Sequence, residues 1–280
     1  MDEKTLKSAE VLFELAIAED IGEGDITTNN LLPPYIKKTA TLLVKEEGVI
    51  AGLQVAEMVF RKFDKDIEWN EKIHDGSKVQ PGDILVEFKG DFRAILTGER
   101  KALNFLQRLS GIATYADKCI KKVEGYNVKI LDTRKTMPGY RYLDKYAVRM
   151  GGASNHRFGL YDMVMIKNNH ITVAGGIQKA VEAIRKKIPE GIKIEVETSS
   201  MEQVQEALNA NVDIIMLDNM SSKMMREAVR LINKQTKIEA SVNMTLKRIR
   251  KVAATGVDYI SIGALTHSVK ALDISLRVID

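Results

Sequence analysis

Apolar residues follow two spacings along this chain. Leu6, Ala9, Phe13, Ala16 and Ile17 recur at helical intervals and predict an amphipathic helix over residues 5–19. Gly22 and Gly24 break it, beside Glu19, Asp20, Glu23 and Asp25. Such an acidic bend could hold a metal, but a solvated loop that closes the helix is the simpler reading. Short apolar runs follow at 40–44, 49–53, 67–69 and 84–88, with a helical stripe of Val55, Met58, Val59 and Phe63 between the second and third. Val79-Gln80-Pro81-Gly82-Asp83 reads as a turn into the last of them. This mixture predicts an α+β layer. Leu96, Leu103, Leu106 and Leu109 then form a buried stripe, and Ser110-Gly111 reads as a domain boundary. Spacing alone makes Arg100 a solvated helix charge.

The second half repeats one plan, an apolar strand, a polar tip and a helix. Val128, Ile130 and Leu131 lead into Asp132, Thr133, Arg134, Lys135 and Thr136, and then into the turn residues Pro138-Gly139. Met163–Ile166 ends in Lys167, 192–196 in Glu197, Ile214–Leu217 in Asp218, Ile238–Ala240 in Ser241 and Tyr259–Ile262 in Gly263. Helical stripes lie between the later strands at 177–184, 204–208, 225–232 and 246–252. The later tips recur at about the spacing of a compact strand–helix unit, so a parallel sheet is expected. The first strand is not followed by a Gly-rich dinucleotide turn, which favours a barrel over a doubly wound sheet. A barrel gathers the strands' C-terminal ends at one mouth, so Arg134, Lys135, Lys167, Glu197, Asp218 and Ser241 are expected to meet there.

Composition narrows the chemistry. The 280 residues are 45% hydrophobic and 29% charged, those of a globular protein, and the net charge is +4. That mild excess suits anionic small molecules, and without dense basic runs carrying aromatics it argues against nucleic acid. The single Cys119 permits no internal disulfide and is expected to be a small buried hydrophobe in a cytoplasmic protein. No apolar stretch reaches the ~20 residues needed to cross a bilayer, so no membrane partner is expected.

The expected ring holds Arg134, Lys135 and Lys167, with His156 and Arg157 added from the Gly151–Arg157 stretch. Arginine offers a planar fork that suits carboxylate or phosphate, while lysine is a mobile point charge. Glu197 and Asp218 are carboxylates on nearby strands, suited to acid–base work or to Mg²⁺ beside a phosphorylated substrate. Ser241 and Gly263-Ala264 are small, as late phosphate-binding loops of such barrels are. His267 could meet a phosphate there, or could simply stand at a helix start.

Several stretches together carry a family resemblance. They are Asp132-Thr-Arg-Lys-Thr-Met-Pro-Gly139, Asn155-His-Arg157, Ile166-Lys-Asn-Asn-His170, Glu195-Val-Glu197, Met216-Leu-Asp-Asn219, Glu239-Ala-Ser241 and Ser261-Ile-Gly-Ala-Leu-Thr-His267, with Gly98-Glu-Arg100 and the acidic bend before them. In this order they closely resemble the quinolinate phosphoribosyltransferases, almost end to end. The resemblance implies an α/β fold, with an N-terminal α/β sandwich over 1–109 and an incomplete seven-stranded α/β barrel of TIM type over 110–268. It implies that residues 269–280 return to the first domain, and that the chain is a homodimer in which Arg100 reaches the neighbouring site.

It also implies a reaction: quinolinate and 5-phosphoribosyl 1-diphosphate would give nicotinate mononucleotide, pyrophosphate and CO₂, with Mg²⁺. Lys135, Glu197 and Asp218 are then the catalytic residues, and Glu197 and Asp218 also the metal residues. Arg100, Arg134, Lys135, Arg157 and Lys167 would hold carboxylates and nearby phosphate, with Thr133 and His156 beside them. Ser241, Val242, Asn243, Ile262, Gly263, Ala264 and His267 complete the expected substrate contacts. The chain departs from the family pattern at Asn168, usually acidic, at Ala153, commonly Gly, and at Val242-Asn243, typically Gly-Gly or Gly-Asn. Valine at a tight phosphate loop limits close backbone approach. Two rival readings share the fold: a pyrophosphorylase-like relative with another acceptor, and a non-enzymatic anion-binding barrel.

Overall fold

The structure is a computed structural model that describes residues 1–241 and 245–279. The expected contacts at Val242 and Asn243 lie outside the described residues.

Helix α1 (Glu3–Ile21) starts two residues earlier than its apolar spacing predicts, because Asp2 accepts the Thr5 N–H at 2.8 Å and so caps its first turn. Asp25 caps α2 (Ile26–Leu31) in the same way. Strand β1 (Lys37–Val44), β2 (Gly48–Val49), α3 (Leu53–Phe63), β3 (Glu68–Glu71), β4 (Lys78–Val79) and β5 (Ile84–Asp91) follow. The run expected as a strand over 49–53 is cut short, since α3 begins at Leu53. Asp75 drives this: its carboxylate accepts the N–H groups of Gly52 and Leu53, the free donors of the helix's first turn.

β1 pairs antiparallel with β5, and β5 with β3. Phe60 of α3 packs on Trp69 of β3 and Phe88 of β5, with the three ring centroids 4.8 to 6.0 Å apart. Phe60 and Phe88 are fully buried, each contributing roughly 1.5–3 kcal/mol through the apolar surface removed from water.

Helix α4 runs unbroken over Phe92–Val123, so the boundary expected at Ser110-Gly111 falls inside a helix. Gly111 is there for proximity: a Cβ on it would stand 2.1 Å from the Lys270 carbonyl oxygen. Ser110 Oγ accepts the Ala51 N–H at 3.1 Å.

The chain then forms β6 (Lys129–Leu131), α5 (Arg141–Met150), β7 (Val164–Ile166), α6 (Asn168–Ala174), α7 (Ile177–Arg185), β8 (Ile194–Thr198), α8 (Met201–Asn209), β9 (Ile214–Asp218), α9 (Ser222–Ile232), β10 (Lys237–Ser241), α10 (Leu246–Ala253), β11 (Tyr259–Ser261), α11 (Ala264–His267) and β12 (Ile274–Val278). Two compact units result. The first comprises residues 1–117, 136–152 and 266–280, the second 118–135 and 153–265. Within the first, β12 adds to the free edge of β1 in antiparallel register, so its sheet runs β12-β1-β5-β3.

The second unit is a parallel sheet in the order β6-β11-β10-β9-β8-β7. β7 and β9 read as near-continuous apolar runs, as Ile214-Ile-Met-Leu217 does, whereas β8 and β10 alternate and set glutamates on one face. Ser200 and Ser221 cap α8 and α9, and Asn233 closes α9 in the left-handed conformation at φ 45°. Six strands are described where the family resemblance implies seven. Beyond β6 the sheet continues only as a parallel bridge between Leu131 and Ser154, with Ser154 N–H on the Ile130 carbonyl at 2.9 Å. Among the described residues, no helix is long and apolar enough to cross a membrane.

Candidate active site

Side chains alternate across a strand, so Glu195 and Glu197, Met216 and Asp218, and Glu239 and Ser241 share the inner face of the parallel sheet. The registers set Asp218 opposite Ser241, and Ser241 opposite Ser261. At these C-terminal strand ends lies a cavity of about 450 Å³. Thr133, Arg134, Lys135, His156, Arg157, Lys167, Glu197, Asp218 and Ser241 all line it. Met165, Met216, Glu239 and Ser261 complete the lining. A larger hollow of about 960 Å³ sits at the opposite, N-terminal strand ends. Its acids are engaged in the fold: Asp213 accepts the Ile194 N–H, and Asp258 accepts Ile238 N–H and Lys237 Nζ.

Each cation has its own support. Thr133 Oγ1 accepts the Lys135 N–H at 3.1 Å, which shapes the tip after β6. Arg157 donates from Nη1 to the Met163 carbonyl at 2.8 Å. Burial, together with the positive charge of Arg134, lowers the Arg157 pKa, although a guanidinium keeps its proton at any physiological pH. Lys167 opens α6, where its N–H meets His170 Nδ1 at 3.0 Å, and its Nζ lies 3.5 Å from Glu197 Oε2. Asn219, left-handed at φ 53°, donates its N–H to the Ser241 carbonyl and so ties the tip of β9 to that of β10.

Beneath the cavity the sheet interior is charged. His156 Nε2 lies 3.0 Å from Glu195 Oε2 and 3.4 Å from Glu239 Oε2, and both glutamates are fully buried. Burial alone would strip the His156 proton, but the two carboxylates outweigh it and push its pKa up. Burial likewise pushes Glu195 up, against the pull of His156. Glu195 and Glu239 were not singled out as site residues in the sequence. The usable signal was an ionisable residue two positions before a polar tip, on the same strand face.

The remaining expected residues are not among those lining the cavity. Ile262 is buried, with its N–H on the Leu131 carbonyl, and neither it nor Gly263 or Ala264 lines the cavity. Arg100 is exposed on α4 and His267 lies on α11, both in the first unit, where His267 Nδ1 is 2.7 Å from Ser268 Oγ. In the acidic bend, Asp20 pairs with Lys101, and Asp25 also accepts Thr97 Oγ1. The bend therefore serves the fold. Cys119 is buried, as expected.

Strand tips carrying both cations and carboxylates around one hollow define an α/β-barrel enzyme site for a highly anionic substrate. The family profile for quinolinate phosphoribosyl transferase matches residues 25–110 with its N-terminal domain and 112–277 with its C-terminal domain. A probable nicotinate-nucleotide pyrophosphorylase (carboxylating) of Synechocystis is 45% identical over 94% of this chain and 90% of its own. One of Bacillus subtilis is 43% identical over 93% and 90%. The structure of the nicotinate-nucleotide pyrophosphorylase from Francisella tularensis superposes with a TM-score of 0.94 at 42% identity, covering 98% of this chain and 96% of that one. The chain belongs to the quinolinate phosphoribosyltransferase family.

Proposed function

We propose that this chain transfers the phosphoribosyl group of 5-phosphoribosyl 1-diphosphate to quinolinate, releasing pyrophosphate and CO₂ and forming nicotinate mononucleotide for NAD biosynthesis. One observation carries the reading: Arg134, Lys135, Arg157 and Lys167 line a single cavity with Glu197 and Asp218. Two carboxylates and a diphosphate require many cations, and a purely anion-binding pocket gains nothing from carboxylates turned toward its ligand.

The roles follow from the charges. Arg134, Lys135, Arg157 and Lys167 fix the two quinolinate carboxylates and orient the ring nitrogen toward the anomeric carbon. The nitrogen lone pair attacks that carbon as the bond to pyrophosphate breaks, and the diphosphate leaves with the bonding pair. Glu197 and Asp218 hold ribose hydroxyls and stabilise positive charge developing on the sugar. The ring nitrogen is then quaternary, so the adjacent carbon can keep the electron pair left by departing CO₂ until a proton replaces it. No covalent enzyme intermediate is required. Mg²⁺ fits the donor set, because Glu197 and Asp218 are oxygen ligands open to one cavity; bound there, directly or through water, it would neutralise pyrophosphate oxygens.

The chain acts as a homodimer whose Arg100 completes the neighbouring site. Supporting this, Val11, Leu15, Ile26, Leu31 and Tyr35 of the first unit are exposed apolar side chains in want of cover. A cytoplasmic location accords with a lone, buried thiol.

Quinolinate labelled at the carboxylate beside the ring nitrogen tests the reaction. Labelled CO₂ and pyrophosphate should appear in equal amounts, and only with Mg²⁺ present. Pyrophosphate release without CO₂ would instead indicate another acceptor.

A further inference from the structure

The group formed by His156, Glu195 and Glu239 invites a metal, since one ligand atom from each lies within 4.8 Å of the others. The Arg157 backbone decides against it. Its N–H donates to His156 Nδ1 at 2.7 Å. A metal on Nε2 would leave the ring proton on Nδ1, where it needs an acceptor and would face a donor instead. The two carboxylates favour a second ring proton, but that proton would have to sit on Nδ1 and face the same Arg157 N–H, so this contact opposes the shift the carboxylates drive. The geometry leaves one place for the ring proton, Nε2, which lies 3.0 and 3.4 Å from the carboxylates of buried Glu195 and Glu239.

We propose that Glu195 and Glu239 are positioning residues: they hold His156 as its Nε2–H tautomer, and His156 in turn holds the Arg157 backbone at the cavity.

The need arises from the missing strand. Among the described residues, the backbone of segment 154–157 joins the sheet only at Ser154, beside β6, so regular ladder hydrogen bonds do not fix Arg157. Side chains take their place. Buried Asp132 accepts His156 N–H at 2.8 Å and Asn155 Nδ2 at 2.7 Å. His156 then reaches across the sheet interior to Glu195 on β8 and Glu239 on β10. From the next residue, Arg157 Nη1 reaches the Met163 carbonyl just before β7. These contacts link the segment to strands with which it shares no ladder. Nδ1 of His156 accepts the Arg157 N–H and Nε2 lies beside the two glutamates, so the ring serves the substrate through Arg157.

The test has two arms, and only the second rests on the proposed reaction. In full-length protein labelled with ¹⁵N-histidine, His156, identified by the signal lost in His156→Asn, should show the Nε2–H tautomer at pH 7.5. The Nδ1–H tautomer, a doubly protonated ring, or a stoichiometric metal in the purified protein that is lost in His156→Asn would each overturn the proposal, whether or not the enzyme is active. In the second arm, Glu239→Gln keeps an acceptor for Nε2–H and should leave the quinolinate KM within about threefold, whereas Glu239→Leu removes it. The leucine variant should raise that KM about tenfold, what a hydrogen bond to a charged group is worth, with kcat little changed. Equal KM values for the two variants would refute the positioning role. A leucine variant that fails to fold leaves the tautomer measurement to decide.

Discussion

Lys167 Nζ stands 3.5 Å from Glu197 Oε2, across the adjacent strands β7 and β8. The two groups have opposite tasks in the proposed reaction, one toward the acceptor's carboxylate and one toward the sugar. In the free site each partly neutralises the other, so ligands must draw them apart. Glu197→Gln removes the competing charge and leaves Lys167 to the acceptor. Turnover should then fall on the order of a hundredfold, the scale for losing a transition-state contact, while quinolinate alone binds as tightly as before or more tightly. Calorimetric titration beside steady-state rates checks this; parallel losses of binding and turnover would contradict it.

Lys135 is exposed at the tip that follows β6. Its removal should cost catalysis and little else. Lys135→Ala is expected to cut turnover and weaken quinolinate binding, with stability changed by no more than about 0.5 kcal/mol. A markedly lowered Tm would make Lys135 a structural residue.

The parallel half was legible in the sequence because each of its strands is a local event: an apolar run closed by a polar tip. Lys167, Glu197, Asp218 and Ser241 stand at their expected strand ends around one cavity for that reason. The first unit was harder to read because its contacts are distant along the chain. β12 pairs with β1, and the apolar spacing of Ile274–Val278 names no such partner. Helix α5 follows the same logic. Leu143, Tyr146 and Ala147 mark its buried face, but Asp144 and Lys145 are fully buried beside them, and charges at core positions hide an apolar stripe. Asp144 is tolerated because Arg108 meets both its oxygens, at 3.2 and 2.9 Å, a pairing that only the folded chain displays.

Tyr146 Oη donates to Asp75 Oδ2 at 2.6 Å, while the same carboxylate caps α3. Burial pushes the Asp75 pKa up, and these hydrogen bonds partly restrain it. Tyr146→Phe keeps the ring and deletes the donor, leaving a buried carboxylate short of a partner. Chemical denaturation should show a loss of about 1–3 kcal/mol. Because a raised carboxyl pKa means that the folded state holds the proton more tightly, this group's contribution is full below its unfolded pKa and declines as pH rises through the folded one. Losing the donor raises that pKa further, so the deficit should be larger at pH 7 than at pH 4. A deficit independent of pH would show that Asp75 does not feel the lost bond.

Cys119 supplies the alkaline counterpart. Burial pushes its thiol from 9.0 up to about 12. Native protein should therefore resist iodoacetamide at pH 8 and react once unfolded. The stability linked to the protonated thiol is complete below pH 9.0 and lost toward pH 12, so Cys119→Ala should lose less stability than the parent over that interval. Identical alkaline profiles would place the thiol in contact with water.

Arg100 decides whether the site is shared between subunits. It is exposed on α4 and belongs to the first unit, while Lys135 lines the cavity of the second. If Arg100 serves the neighbouring site, a dimer of one Arg100→Ala chain and one Lys135→Ala chain carries both lesions in one site and none in the other. Each variant alone should be nearly inactive. After dissociation and random reassociation of equal amounts, half the dimers are mixed and half their sites intact, so activity should return to about a quarter of the parent. If Arg100 acts within its own chain, every site in the mixture carries a lesion, and the mixture stays as inactive as its components.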